Sequence, residues 1–174
     1  MSIRIINTTT ADLETVYSLF DAAIAYQKSN GYIVWKGYDK AVLQTDVADG
    51  RQYKILDGET LLCVFTVCYE DHIIWGSRED GNALYLHRAV INPNRRGENL
   101  FQHVLDWALM DAQRRGLDFI RMDTWANNQH LVNYYTRFGF EILEYLKTPE
   151  SDELPEQHKG LDIVLLQLEL SKLQ

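Results

Sequence analysis

The sequence predicts a single α/β domain, residues 1–174, built around a mixed β-sheet. Its 174 residues fall within the roughly 100–200 that one domain usually contains. The middle of the chain reads strand, long helix, strand, helix, strand, which is typical of a βαβ crossover with a parallel strand pair. Apolar runs joined by turn signals lie on both sides of this region, and they predict antiparallel hairpins at the front and at the back.

The first part of the chain predicts one strand and two helices. Ile3 to Asn7 reads as a short strand, and the hydroxyl residues after it are good helix caps. Apolar residues at helical spacing then predict a helix to about Lys28, which Asn30-Gly31 ends. The segment Tyr32–Tyr38 is aromatic but not periodic, and Asp39 to Ala48 predicts a second, shorter helix.

A hairpin and a further strand follow. Gln52 to Leu56 and Leu61 to Tyr69 flank the turn Asp57-Gly58-Glu59-Thr60, and an Asp-Gly pair is a strong hairpin signal. Ala83 to Ile91 predicts the next strand, which Asn92-Pro93-Asn94 ends.

The second half of the chain continues the alternation of helices and strands. Apolar residues recur on one face of a long helix, whose end is marked by Arg114-Arg115 and Gly116. An acidic loop, residues 148–160, separates the last two strands. The predicted elements are a helix from Leu100 to Arg115, a strand from Asp118 to Thr124, a helix from Asn128 to Arg137, and strands from Phe140 to Leu146 and from Leu161 to Leu170.

Composition and charge exclude several classes of function. The net charge of −8 repels phosphate backbones, so we expect no nucleic-acid partner. No apolar run approaches the roughly 20 residues that span a bilayer, and the N-terminus does not read as a signal peptide. We therefore expect no membrane partner and a cytoplasmic location.

The cysteines and histidines predict neither a disulfide nor a metal site. Cys63 and Cys68 are five residues apart in one apolar run, which would point them to opposite faces of a strand. We interpret both as core thiols in a reducing compartment. The five histidines are scattered and none has metal-ligand spacing, so we expect no metal.

A candidate phosphate-binding site lies where the strand Ala83–Ile91 leads into the long helix. A helix N-terminus offers free N–H groups and a positive dipole end. Gly97 lets the backbone approach a ligand closely, and Arg95 and Arg96 add positive charge. This pattern favours a pyrophosphate cradle, with a solvated turn as the alternative. It is neither a Walker loop nor a dinucleotide fingerprint.

Together with the stretch after the next strand, this region resembles the GNAT superfamily of N-acetyltransferases. In that family a strand ending in apolar-x-Pro precedes Arg/Gln-x-x-Gly-x-Gly/Ala, and here Ile91-Asn92-Pro93 precedes Arg96-Gly97-Glu98-Asn99-Leu100-Phe101. The family then has an Asn, followed seven residues later by a Tyr that leads into Gly-Phe. Here these are Asn128, Tyr135 and Phe138-Gly139-Phe140. The match covers about residues 83–141, and the other segments agree only in their order.

The loop departs from the family pattern at two positions. Asn99 and Phe101 stand where the family has small residues. Asn99 can still point its N–H at a phosphate, so a cradle built from backbone survives. Phe101 either narrows the pyrophosphate groove or rotates into the core.

The resemblance implies a mixed sheet with a central splayed parallel pair, flanking antiparallel strands and helices on both faces. It also implies an acetyl-CoA site, with the thioester against Ala89–Ile91 and the pyrophosphate on the loop. Asn128 would face the cofactor arm, and Tyr135 would lie near the sulfur and protonate the departing thiolate. The expected cofactor contacts are Ala89, Val90, Ile91, Arg95, Arg96, Gly97, Glu98, Asn99, Leu100, Phe101 and Asn128.

Candidates for the general base and for the acceptor site lie on separate segments of the chain. His87 lies on the strand beside the expected thioester, and a histidine can take a proton near neutral pH. Glu70-Asp71-His72, at the end of the preceding strand, is the alternative source of a base. Tyr32 and Trp35 are expected to line the acceptor pocket, because the family places this segment there. A hydrophobic lid or a dimer contact is the alternative role for both.

We therefore expect an N-acetyltransferase that moves an acetyl group from acetyl-CoA to a primary amine of a small molecule or peptide. Direct attack in a ternary complex is expected, since no cysteine falls within the matched site. The alternatives are a non-catalytic acyl-CoA-binding or regulatory domain of the same fold, and an interaction protein that uses its aromatic segment. The resemblance is also compatible with assembly of the chain into a homodimer.

Overall fold

The computed structural model describes residues 2–32 and 35–173, so Ile33 and Val34 of the aromatic segment lie outside the described residues. The strands are β1 (Ile3–Asn7), β2 (Gln52–Asp57), β3 (Thr60–Cys68), β4 (Ala83–Ile91), β5 (Phe119–Trp125), β6 (Glu141–Lys147) and β7 (Asp162–Glu169). The helices are α1 (Leu13–Ser29), α2 (Lys40–Ala48), α3 (His72–Trp75), α4 (Leu100–Arg115) and α5 (Gln129–Thr136).

The strands form one seven-stranded mixed sheet in the order β1-β2-β3-β4-β5-β7-β6. β4 and β5 are parallel, whereas the pairs β1–β2, β2–β3, β5–β7 and β6–β7 are antiparallel. The predicted fold class is therefore confirmed. The predicted element bounds also agree closely with the structure, and those of β4 and α4 agree at both ends.

Helix α3 is the element that the sequence did not predict. The strand that we expect to reach Tyr69 ends at Cys68. Glu70 and Asp71 belong to the connection that follows it, and His72 is the first residue of α3. The Asp71 side chain caps this single turn by accepting the Ile74 N–H at 3.2 Å. A four-residue helix is too short to show a helical period of apolar residues, so the capping residue is the one local sequence signal for it.

The chain divides into two compact units. Unit 1 contains the residues up to Val67 together with Arg88–Val104, and unit 2 contains Cys68–His87 and the residues from Leu105 onward. The division passes through β4 between His87 and Arg88, and through α4 between Val104 and Leu105.

Unit 1 has a core built from its helices and strands. The apolar face of α1 packs with Leu43 and Val47 of α2, Val64 of β3 and Val90 of β4. Partly buried aromatic side chains, including Tyr38, cover this cluster. The apolar residues whose helical spacing predicts α1 thus form the face of this helix that is buried.

Unit 2 has its own core between α3, β4 and β7. Trp75, Tyr85 and Leu165 belong to it, and the buried Arg121 lies on β5. The Arg121 guanidinium donates to the Tyr85 hydroxyl at 2.9 Å and forms an ion pair with Asp80 at 3.1 Å. A buried charge is tolerated here because its donors are satisfied.

The registered residue pairs of the parallel strands β4 and β5 lie within unit 2. They run from Ala83↔Phe119 to Tyr85↔Arg121, and within the described part of unit 2 they end there. Further along β4, Arg88 has a φ of 48°, a left-handed conformation that is uncommon for a side-chain-bearing residue in a strand. The splay of the parallel pair that the sequence resemblance implies stays a prediction.

The cysteines behave as the sequence predicted. Both are free thiols, Cys63 being buried and Cys68 partly buried. Burial raises the pKa of the Cys63 thiol to about 12, so it stays protonated and unreactive at neutral pH. Among the described helices, none combines the length and the apolar character that crossing a bilayer requires.

Candidate active site

The connection between β4 and α4, residues 92–99, is anchored at its first residue, Asn92, and we call it the β4–α4 loop. The Asn92 N–H donates to the Leu62 carbonyl at 2.8 Å, and its side-chain amide donates to the Leu61 carbonyl at 2.9 Å. The Asn92 Oδ1 also accepts the Asn94 N–H at 3.0 Å. Both Leu61 and Leu62 belong to β3, so this asparagine fixes the start of the β4–α4 loop to the neighbouring strand.

The backbone of the β4–α4 loop is shaped for an anion. Gly97 has a φ of 85° and Asn99 a φ of 54°, both in the left-handed region. A Cβ at Gly97 would meet no atom within 4 Å, so the space beside it is open. The first turn of α4 carries no acidic side chain. The N–H groups at this helix N-terminus therefore keep their favourable interaction with a phosphate, and the residues fit the pyrophosphate of a CoA molecule.

Leu100 and Phe101 anchor the first turn of α4. Their side chains are 3% and 2% exposed. Of the two alternatives for Phe101, burial supports the one in which its ring enters the core. Their contribution toward a bound phosphate would therefore come from the backbone.

The two arginines of the loop have different surroundings. Arg95 forms ion pairs with the carboxylates of Glu98 and Asp57, and its side chain is 25% exposed. Arg96 is exposed, and its guanidinium lies 4.5 Å from the ring centroid of Tyr26 on α1. Arg95 thus compensates carboxylates that would repel an anion, and Arg96 presents the charge that faces solvent. The sequence reasoning missed Tyr26, which no local motif marks.

The end of β4 alternates between core and partly exposed side chains. Val90 is buried among the core of unit 1, whereas Ala89 and Ile91 are only partly buried. Just before them, Arg88, whose backbone is in the left-handed conformation, forms an ion pair with Asp46 of α2. Asp46 is 2% exposed. The left-handed conformation is therefore held by an ion pair with a buried partner.

The two aromatic residues expected at the acceptor pocket have different positions in unit 1. Trp35 packs against the core, with its ring 5.7 Å from that of Phe20. Tyr32 is 51% exposed, and its ring lies 6.2 Å from Tyr26. Unit 1 therefore brings Tyr32 beside the Tyr26–Arg96 pair.

Helix α5 of unit 2 carries two of the predicted residues. Asn128 caps this helix, because its Oδ1 accepts the Leu131 N–H at 3.1 Å. Tyr135 is partly buried near the C-terminal end, with its ring 6.5 Å from that of Phe140. Gly139 lies between α5 and β6 with a φ of 92°, and a Cβ there would approach Leu168 at 3.1 Å. This is the physical reason for a glycine before Phe140.

His87, the expected base, lies in unit 2 beside two carboxylates. Its Nε2 is 3.4 Å from Oδ2 of Asp71, and the two side chains are 19% and 10% exposed. Together with Asp123 of β5 they form what we call the acid–imidazole cluster, in which one ligand-type atom from each residue lies within 4.8 Å of the others. The sequence reasoning named Asp71 only as an alternative base and missed Asp123 as a site residue.

Comparisons with known proteins identify the family of the chain. A profile of the Acetyltransferase (GNAT) family matches residues 32–140. YesJ, an uncharacterized N-acetyltransferase of Bacillus subtilis (strain 168), is 24% identical over 140 residues, which cover 76% of this chain and 78% of YesJ.

Solved structures show the same fold. An acetyltransferase of the GNAT family from Listeria monocytogenes 4b F2365 has a TM-score of 0.73 at 18% identity, over 96% of this chain and 94% of its own. The PaiA N-acetyltransferase from Thermoplasma acidophilum, in complex with coenzyme A, has a TM-score of 0.70 at 16% identity, over 97% and 99%. Since the family profile spans more than half of the chain, the protein belongs to the acetyltransferase (GNAT) family and is an N-acetyltransferase.

Proposed function

We propose that the enzyme transfers an acetyl group from acetyl-CoA to a primary amine of a small molecule or peptide, by direct attack within a ternary complex. The observation that carries this proposal is the β4–α4 loop. Two left-handed residues, an open space beside Gly97 and an N-terminal helical turn without acidic side chains fit a pyrophosphate.

The donor is held mainly by backbone in this proposal. The N–H groups from Gly97 to Phe101 bind the pyrophosphate, and Arg96 adds a charge that Tyr26 holds in place. Arg95 supports the loop by compensating Glu98. The backbone of Ala89–Ile91 binds the pantetheine arm. Asn128 contributes through the amide group that remains after its Oδ1 has capped α5.

The chemistry requires an ammonium acceptor to lose two protons, one before the attack and one after it, and requires the sulfur to gain one. An alkyl ammonium has a pKa of about 10.4, so near neutral pH a base must remove a proton before attack, and we assign this role to His87. The amine nitrogen then bonds to the thioester carbon and the C–S bond breaks. The electron pair of that bond goes to sulfur, which takes a proton from the Tyr135 hydroxyl. The nitrogen of the adduct then loses its second proton, which restores the Tyr135 hydroxyl, and His87 returns its proton to solvent. The products are the acetamide, the CoA thiol and one proton.

Direct transfer is supported by the state of the cysteines. An acetyl-cysteine intermediate needs a thiolate, and burial raises the pKa of Cys63 to about 12. Cys68 lies outside the motif-bearing region, at the end of β3. This supports a mechanism without an acetyl-cysteine intermediate.

Two measurements test the proposed function. Calorimetry with acetyl-CoA asks whether the chain binds the donor, and release of free thiol with a panel of amines asks whether it transfers the acetyl group. The panel should contain alkyl monoamines, polyamines, and peptides with free N-termini or lysines. We expect saturable binding and amine-dependent thiol release. Binding without thiol release for any amine would favour the non-catalytic alternative.

A further inference from the structure

We propose that Asp71 is a positioning residue that acts through His87: its carboxylate, together with that of Asp123, stabilises the imidazolium that forms when His87 takes the acceptor's proton. This inference rests on the proposed function, because it concerns the proton that amine acetylation must remove. It involves only residues of unit 2.

The strand register brings two members of the acid–imidazole cluster together. Tyr85 and Arg121 are the last registered pair of β4 and β5, and their side chains lie on one face, since Arg121 donates to the Tyr85 hydroxyl at 2.9 Å. Side chains two residues apart on a strand point to the same face. His87 and Asp123 are each two residues further on, so they face the same side just beyond the last pair of the parallel strands.

Helix α3 brings the third member. Trp75 is 2% exposed and packs edge-on against Tyr85, with ring centroids 5.4 Å apart. The Trp75 N–H donates to the Asp71 carbonyl at 3.0 Å, which places Asp71 one helical turn before the tryptophan. Since Tyr85 and His87 share a face of β4, anchoring Trp75 on the first places Asp71 beside the second.

Asp71 is held at both its backbone and its carboxylate. Its N–H donates to Glu79 Oε2 at 2.8 Å, and its Oδ1 accepts the Ile74 N–H at 3.2 Å. Its remaining oxygen, Oδ2, is buried and accepts no hydrogen bond from the described part of the chain, although His87 Nε2 is 3.4 Å away. A buried carboxylate oxygen without a donor is unfavourable, and an imidazolium supplies both an N–H and a compensating charge.

The proton transfer improves the charge balance of the cluster. With both carboxylates ionised and the imidazole neutral, the three groups carry −2, and after His87 takes a proton they carry −2 + 1 = −1. One N–H bond of the acceptor ammonium breaks, its electron pair stays on nitrogen for the attack, and the proton joins the imidazole. The Asp71 and Asp123 carboxylates thus favour the state that leaves the amine nucleophilic.

The other charged groups near the cluster are already engaged. Glu79 receives the Asp71 N–H, and Glu70 and His72 face each other at 3.8 Å with most of their side chains exposed. Among the described residues, Asp71, from the connection after β3, and Asp123, from β5, place carboxylates in the cluster with the imidazole.

The first test follows the His87 ring by NMR in the full chain, and it needs no acceptor. Asp71→Asn keeps an oxygen that can cap α3 but removes the charge. We expect the midpoint of the His87 titration to fall by about one pH unit in this variant. Asp80→Asn, which removes a carboxylate paired with Arg121 at 3.1 Å, is the matched control and should leave the midpoint in place. An unmoved midpoint in Asp71→Asn would overturn the inference.

The second test uses the best amine of the panel. Asp71→Asn should lower kcat about tenfold or more, keep the affinity for acetyl-CoA, and move the acid limb of the kcat/KM profile to lower pH. Adding Asp71→Asn to His87→Gln should cost nothing further, because Asp71 acts through the ring. Asp71→Glu should restore part of the rate.

Three results of the second test would contradict the inference. One is an additive loss in the double variant, and another is an equal loss of kcat and of acetyl-CoA affinity, which would indicate a structural role. The third is loss of wild-type activity with a chelator and its recovery with Mn²⁺ or Zn²⁺ alone, which would make the cluster a metal site. Absence of thiol release from the wild type would count against the proposed function, while the NMR titration would still decide the role of Asp71.

Discussion

The β4–α4 loop and the acid–imidazole cluster handle charge in opposite ways. Half of the residues of the loop are exposed, Arg96 among them, and the loop pairs the Glu98 carboxylate with Arg95. The cluster is largely buried and gathers two carboxylates around one imidazole. One region is suited to an anion and the other to a cation or a proton.

This contrast matches the two substrates of the proposed reaction. Acetyl-CoA carries its negative charge on phosphates, far from the reacting thioester, whereas an ammonium acceptor carries its positive charge on the reacting atom. The loop should therefore govern donor affinity, and the residues of unit 2 should govern the rate of the chemical step. Substitutions that separate kcat from donor affinity test this division.

The largest expected effect is at Tyr135. Tyr135→Phe keeps the packing of the ring and removes only the hydroxyl, so kcat should fall by roughly 10–10³-fold while acetyl-CoA affinity stays unchanged. Tyr134→Phe removes a hydroxyl one position earlier on α5 and is the control. Steady-state kinetics and calorimetry measure the two quantities, and full activity in Tyr135→Phe would return this residue to a packing role.

A smaller effect with a distinct pH dependence is expected at His87. His87→Ala should lower kcat by about 10–10²-fold at pH 6–7, where few amines are already neutral. Near pH 9–10 the loss should shrink, because solvent then supplies more of the neutral amine. A melting curve must first show that the variant is folded. A loss that does not change with pH would assign His87 to binding or packing.

Substitutions in the β4–α4 loop should change the affinity for acetyl-CoA rather than kcat. Gly97→Val should weaken acetyl-CoA binding by at least about tenfold, or about 1.4 kcal/mol, because Gly97 has a φ of 85° and a branched Cβ would occupy the phosphate's space. Gly58→Val places the same strain on a glycine with a φ of 60° in the β2–β3 turn and is the control. Unchanged affinity in a folded Gly97→Val protein would place the phosphate elsewhere.

The smallest expected effect distinguishes the two roles open to Arg95. Arg95→Gln frees the Glu98 carboxylate, so acetyl-CoA affinity should fall about threefold to tenfold. Adding Glu98→Gln removes that charge, and affinity should recover to within about twofold if Arg95 acts through Glu98. Calorimetry on both variants measures this. Affinity that stays weak in the double variant would show that Arg95 itself contacts the cofactor.

The same two regions differ in how far the sequence predicted them. The loop is contiguous, so its strand end, its glycine and its helix start could be recognised side by side, and the bounds of β4 and α4 were predicted at both ends. The alternatives for Phe101 could not be separated, because only the packed structure shows its ring buried at 2% exposure.

The cluster is assembled from three separate segments. The position of Asp71 depends on a four-residue helix without a detectable period. The position of Asp123 beside His87 depends on the register of two strands that the long helix α4 separates in the sequence. His87 was identified by its place on β4, but its partners were not. Tyr26 was missed for the same reason, since its contact with Arg96 joins α1 to a loop far along the chain.

The ion pair between Arg88 and Asp46 has a consequence for protein engineering. Asp46 lies on α2, which precedes the matched motifs, yet its carboxylate holds the left-handed residue of β4 and also pairs with Arg51 at 3.2 Å. A designer who exchanges the N-terminal helices for those of a relative, in order to change acceptor preference, would separate this acid from its arginine. The graft would keep this ion pair only if the new helices carried an acid at position 46, so the N-terminal helices are not an independent module.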